Sequence, residues 1–243
     1  MNEQFLYNRP QFPAQINWSH PSTKGLVGCW LFNENGGMQA WDSSPYGTHL
    51  TLQGFTTNRR NTNGILYAGA QYCSKTVANY RSGDSSGAIG TWFRSSSTAN
   101  AQTLFASCDT GTDTSFFFFY VQPTNGKVTF SSRNAAGTSN RVAGTTNVCD
   151  GKLHYIVATS SGTVWSIFVD GIAETLTEEL GSNTGDWFAD VTLRDNITIG
   201  AATRTSNVNL AIAEIGFTTI YSRQMLQPEA RSLYLAPYAM FVR

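Results

Sequence analysis

The sequence predicts an all-β sandwich, and three observations carry that assignment. Short segments rich in Val, Ile, Phe, Tyr, Trp and Thr follow one another, separated by Gly, Asn, Asp and Ser turns. Turn signals at Asp150-Gly151, Ser161-Gly162 and Asp170-Gly171 recur about every 10 residues, the spacing of a sandwich or barrel meander. No long stretch shows helical periodicity, and 243 residues suffice for one such domain with a sizeable core.

The first 24 residues read as an extended arm. Phe5, Tyr7, Phe12, Ile16 and Trp18 are interleaved with Pro10, Pro13 and Pro21, so the backbone resists both helix and central-strand pairing. Two destinations stand open. The arm wraps over its own sandwich, or it docks on a partner with Phe5, Tyr7, Phe12 and Trp18 as anchors and the closing residues Tyr238 and Phe241 sharing the contact.

Residues 25–243 form the sandwich. GCWLF (28–32) is an apolar strand that runs into Glu34, Asn35 and two glycines. A carboxylate there can accept backbone N–H groups of the following turn, which makes Glu34 architecture rather than a catalytic acid. TSFFFFYV (114–121) is apolar on both faces and reads as a central strand, or one covered by a loop. KVTFSS (127–132) alternates, and in TVWSIFVD the residues Trp165, Ile167 and Val169 share one face while Val164, Ser166 and Phe168 share the other. Near the end Pro228 opens a helix of about two turns, and Pro237 prevents its continuation.

Composition excludes some functions. Charged residues make up 13% and balance at 16 of each sign, so no basic field exists for nucleic acid. No run of about 18 apolar residues is present, and the first residues lack a basic and then apolar export signal, so neither membrane insertion nor ordinary export is expected. Cys29, Cys73, Cys108 and Cys149 form no CxxC pair, which argues against structural zinc. Two disulfides are formally available, but reduced thiols are the expectation, with Cys29 in the core.

Three stretches in order carry a family resemblance. GLVGCWLFNENGG followed by WDSSPYGTHLTL resembles the opening of laminin-G-like, concanavalin A-like modules. CDGKLHYIVATSSGTVWSIFVDG is similar to their central hairpin, and ITIGAATRTSNVNLAIAEIGFTTIYSRQMLQPEARSLY to their closing strand and helix. Across residues 25–235 the resemblance implies a jelly-roll sandwich of two antiparallel sheets with one short C-terminal helix.

That fold hosts lectins, glycosidases, adhesion modules and passive decorations, so function has to come from sites. Glucanases of the fold carry a Glu-x-Asp-x-x-Glu strand, which this chain lacks; Glu174, Glu178 and Glu179 sit at the wrong spacing. His20, His49 and His154 accompany no G-x-S-x-G elbow. No enzymatic activity and no cofactor are expected. Related modules hold calcium through two aspartates whose counterparts here are Ala68 and Ala213, so no metal is expected either. For a glycan, Trp187 in GSNTGDWFAD with Asn183 and Asp186 is the ligand-binding candidate, the alternative being a loop anchor; Trp41 reads as a structural plug.

The lead-in INWSHPSTKGLVGCW and the ending LAPYAMF are similar to laminin-G-like proteins associated with tailed-phage structural genes. The resemblance implies a non-enzymatic virion structural protein, a head-decoration or head- or tail-surface component assembled in the host cytoplasm. Its partners would be other capsid or tail proteins and cell-surface glycans, with a homo-oligomer on the particle as one arrangement. The alternative is a bacterial surface or secreted carbohydrate-binding module, located outside the cell.

Overall fold

The computed structural model describes residues 9–56 and 64–242. The first third holds β1 (Leu26–Trp30), β2 (Gln39–Ala40), β3 (Leu50–Gln53), β4 (Gly64–Ala68) and β5 (Tyr72–Thr76). The middle holds β6 (Gly87–Arg94), β7 (Gln102–Cys108), β8 (Phe116–Val121), β9 (Lys127–Arg133), β10 (Ser139–Asn147), β11 (Leu153–Ser160) and β12 (Trp165–Val169). Then come β13 (Ile172–Ala173), β14 (Thr177–Leu180), β15 (Asn196–Ile199), β16 (Ala202–Thr203), β17 (Asn207–Val208), β18 (Ile212–Tyr221) and the helix α1 (Gln227–Leu235).

These strands build two antiparallel sheets. One runs β1-β18-β6-β11-β12-β13, with β4 on the other half of β18; the larger runs β14-β10-β9-β8-β7-β15-β5-β3-β2. Between them lies the main core. Trp30, Phe93, Phe117, Phe119, Phe130, Ile156, Trp165 and Ile167 all point into it and are at most 1% exposed. Trp165, Ile167 and Val169 do share the inward face, while Phe168 points the other way. The first strand stops at Trp30 because Phe32 takes a left-handed backbone (φ 53°) that no strand continues.

The seven-stranded sheet is apolar on its outer face as well. Trp92, Tyr155, Val157, Phe168, Phe217 and Tyr221 point outward and are covered by α1, by the tail and by the arm. Glu229 starts α1 by accepting the Leu226 N–H (2.9 Å), and Tyr234 stacks on Trp92 at 6.0 Å between ring centroids. Tyr238 and Phe241 flank Phe217 at 5.8 and 5.7 Å, and Phe241 is 5% exposed. This corrects the expectation that the two tail aromatics serve a partner: the outer face of their own sheet requires them.

The arm joins the same cover. Ile16 bridges Phe241, the Asn17 N–H donates to the Met240 carbonyl (2.8 Å) and the Val242 N–H donates to the Gln15 carbonyl (2.9 Å). Ala14 and Ile16 pack on the outer cluster, and a single 3-10 turn, Pro21–Thr23, leads into β1. Phe12 and Trp18 remain at the surface, 37% and 50% exposed, whereas Phe5 and Tyr7 lie outside the described residues. Among the described residues no helix is long and apolar enough to cross a membrane.

His154 ties the β11–β12 hairpin together. Its Nδ1 meets Asp170 Oδ2 at 2.9 Å and its Nε2 meets Asp150 Oδ1 at 3.0 Å, while Asp170 Oδ1 accepts the Tyr155 N–H at 2.9 Å. Burial works against the imidazolium, but the hydrogen bonds and charges of Asp170 and Asp150 outweigh it, so the pKa of His154 is raised.

Two outcomes follow from this packing. Removing residues 1–24 is expected to lower the melting temperature by roughly 5–15 °C and to raise binding of a hydrophobic dye, since the arm covers apolar sheet. An unchanged melting curve would show that the arm is no cover. For His154, the stabilisation is complete below the unfolded-state pKa of about 6.5 and is lost as pH rises through the higher folded-state value. The gap in urea midpoint between the wild type and His154→Gln should therefore be wider at about pH 5.5 than at about pH 8.5; a constant gap contradicts the ion-pair account.

Candidate functional site

Several sequence-singled residues turn out to be architecture. Glu34 is 5% exposed and accepts the N–H of Trp41, just past the glycine turn. Asp42 organises the next turn, accepting N–H groups of Cys29, Ser44 and Thr48, each at 2.8 Å. Trp41 is not a plug: it is 42% exposed, with Phe12 at 6.0 Å and His49 at 4.3 Å between ring centroids.

The Trp187 loop needs a correction. Trp187 is 0% exposed, stacked on Phe130 at 5.7 Å and 10° and edge-on to Phe117 at 5.0 Å, so no face of it can meet a sugar. Asn183 is spent on the backbone of Trp165, accepting its N–H (2.6 Å) and donating to its carbonyl (3.0 Å). Asp186 accepts from Ser132 Oγ (2.7 Å), Asn140 Nδ2 (3.0 Å) and Thr184 Oγ1 (2.7 Å). The three residues anchor the loop that closes one end of the core.

The positions compared with calcium ligands lie next to each other but face apart. Ala68 pairs with Ile212 and Ala213 with Tyr67, and Ala213 is buried in the core while Ala68 is exposed on the outer side. Among the described residues no three His, Cys, Asp or Glu side chains come together as a metal site. A cavity of about 250 Å³ lies between the arm and α1, beside Tyr221, but its ion pair, Arg223–Glu229, is already closed at 2.6 Å.

The remaining sheet face carries a different chemistry. On β8 the odd residues Phe117, Phe119 and Val121 fill the core, so Phe116, Phe118 and Tyr120 line the outer face of the nine-stranded sheet. Strand register extends these into three rows. Thr103, Tyr120, Thr129 and Ala143 form one; Ala106, Phe118, Ser131 and Arg141 the next; Cys108, Phe116, Arg133 and Ser139 the third. Phe116 and Phe118 stack at 4.3 Å, and the Arg204 guanidinium lies over them at 5.5 and 5.8 Å, held by Asp113 at 3.2 Å.

This grid is rich in unsatisfied polar atoms. Thr103 Oγ1, Thr129 Oγ1, Arg133 Nε and Arg141 Nε are buried without a protein partner. Each such atom costs about 1–3 kcal/mol when left unpaired, and native structures keep few. Nothing in the strands announced this cluster except the period-2 placement of Arg133 and of Arg141 on either side of the 134–138 turn.

A family model of the laminin G type, described as Concanavalin A-like lectin/glucanases superfamily, matches residues 67–230. No curated protein matches the chain. Among solved structures, the CBM40 of the Ruminococcus gnavus IT-sialidase, bound to α2,3-sialyllactose, is 17% identical with a TM-score of 0.54, covering 61% of this chain and 82% of its own. The receptor binding domain of a botulinum neurotoxin C/D mosaic is 12% identical with a TM-score of 0.62, covering 88% of this chain and 52% of its own. A Trypanosoma rangeli sialidase is 17% identical with a TM-score of 0.63, covering 90% of this chain and 34% of its own. At these identities the likeness is one of fold.

Trp187→Ala is expected to cost about 3–5 kcal/mol in urea unfolding, as for an aromatic removed from a packed core. A loss below about 1 kcal/mol would mean that the ring is not packed as described.

Proposed function

The chain belongs to the concanavalin A-like lectin/glucanase superfamily, and from that premise we propose that it is a non-enzymatic glycan-binding sandwich whose site is the outer face of β7–β10. One observation carries the reading: the half-buried Phe116, backed by the buried Phe118 and Tyr120, shares this face with Arg133 and Arg141, whose Nε atoms lack protein partners. A glycan offers what the half-buried residues lack, with acceptor oxygens for the guanidinium groups and a C–H patch for the Phe116 ring. The three rows contain no carboxylate, so the acid and base needed to cleave a glycosidic bond are missing from them and the face is suited to hold a glycan. The fold shared with a sialidase CBM40 bound to sialyllactose is consistent with this.

The finer reading is that the sandwich is displayed on a virus particle, as a head-decoration or tail-surface component. It is supported by the resemblance of the lead-in and ending to phage-associated modules, and by cysteines buried as unreactive thiols: burial pushes Cys149 up to about 11. The exposed Phe12, Trp18 and Trp41 supply a surface for attachment.

Glycan-array screening followed by NMR titration tests the site. Shifts are expected on β8–β10, and Phe116→Ala should weaken binding about ten-fold, the effect of losing one aromatic contact. Absence of binding to any glycan, or shifts confined to another surface, would overturn it. Recovery of the protein with purified particles tests the display reading separately.

A further inference from the structure

We propose that the glycan held on this face carries a carboxylate, and that Arg133 and Arg141 are the pair that binds it. The proposal rests on the glycan-binding reading and adds its ligand class.

Arginine pairing singles these two out. Four other half-buried arginines have carboxylate partners: Arg81 with Asp84, Arg94 with Glu214, Arg204 with Asp113 and Arg223 with Glu229. Arg194, wholly buried, spends its donors on the Val191, Tyr80 and Phe188 carbonyls and on Ser107 Oγ. Arg133 and Arg141 are half-buried and have neither kind of partner among the described residues; each keeps its Nε–H under the surface and unused.

Register places them together. Arg133 pairs with Ser139 and Arg141 with Ser131, so on the shared outer face they are diagonal neighbours, within about 7–8 Å, a distance that long side chains span. Two like charges so placed repel unless an anion lies between them. Glu179, whose charge acts on Tyr120 in opposition to that of Arg141, is engaged by Gln122 Nε2 at 2.6 Å.

The form of the free groups selects the anion. A guanidinium edge of Nε–H and one Nη–H presents two parallel donors, which match the two oxygens of a carboxylate. A carboxylate set between two such edges satisfies both buried Nε–H groups at once. Phe116, half-buried in the row of Arg133, then lies beside the attached sugar ring. The chain has no net charge, so this local positive pair is not part of a general basic surface.

The test is a glycan array carrying sialylated, uronate-containing, sulfated and neutral glycans, followed by calorimetry at low salt on the strongest hit and on its methyl ester. Hits are expected among the carboxylated glycans, with the ester at least ten-fold weaker. Arg133→Gln and Arg141→Gln should each weaken binding ten-fold or more without lowering the melting temperature, and Arg141→Lys, which keeps charge but loses the fork, should fall between. Binding of neutral glycans or of the ester at equal strength would overturn the carboxylate while leaving glycan binding intact. Hits confined to sulfated glycans, or undiminished binding by both glutamine variants, would overturn it too. No hit of any kind would remove the glycan reading itself.

Discussion

The structure depends on one sheet being apolar on both faces. The seven-stranded sheet turns Ile89, Phe93, Ile156 and Ile167 toward its partner sheet and Trp92, Tyr155, Val157 and Phe168 away from it. Burying one face leaves the other in water, at a cost of about 25 cal/mol for every Å² of apolar surface. The helix α1, the tail through Phe241 and the arm around Ile16 all answer that single demand. Residues 15–17 and 240–242 are thus brought side by side by what lies beneath them, and segments that look like spare adhesive become part of the fold.

At the end of the core the same economy of burial uses a charge. Arg194 is 1% exposed and, among the described residues, forms no ion pair with a carboxylate, an arrangement that is expensive unless its donors are satisfied. Its four hydrogen bonds to loop carbonyls and to Ser107, with the Phe188 ring 4.9 Å below, spread the charge over groups from three segments. Burial pushes its pKa down to about 10, still well above neutrality, so the charge persists and the loop around Trp187 is fixed to β7. Gly87 completes the arrangement: a Cβ there would meet Trp187 Nε1 at 2.2 Å.

These cases mark where the sequence was legible. Alternation in TVWSIFVD assigned both faces of β12, and Pro228 located α1, because each signal is contained within a few residues. Between sugar-facing ring and loop anchor, the Gly, Ser, Asn, Thr and Asp around Trp187 do not decide; its burial is set by Gly87 and Phe130, which are distant in sequence. TSFFFFYV was recognised as two-faced, yet which three side chains would look outward depended on the register with β7 and β9. Arg133 and Arg141 were invisible as a pair for the same reason. A strand pattern gives the face of each residue, and only the pairing between strands gives its neighbours.

The two sheets therefore divide the work. The outer side of the nine-stranded sheet differs in kind: Ala202 and Val208 of the β16–β17 hairpin pack in one cluster with Ala106, Cys108, Phe118 and Tyr120, and Phe116, Arg133 and Arg141 are left half-buried. Where the covered face has Trp92, Phe168 and Phe217, this one interrupts its aromatics with Thr129, Ser131, Arg133 and Arg141. An aromatic stripe alone would call for a cover like α1, as on the opposite sheet. Interleaved with guanidinium and hydroxyl groups, it is covered in part by Ala202 and Val208, and the arginine Nε atoms are left without protein partners. The proposed glycan would supply those partners, and the two arginines set the sign of the charge it should bring.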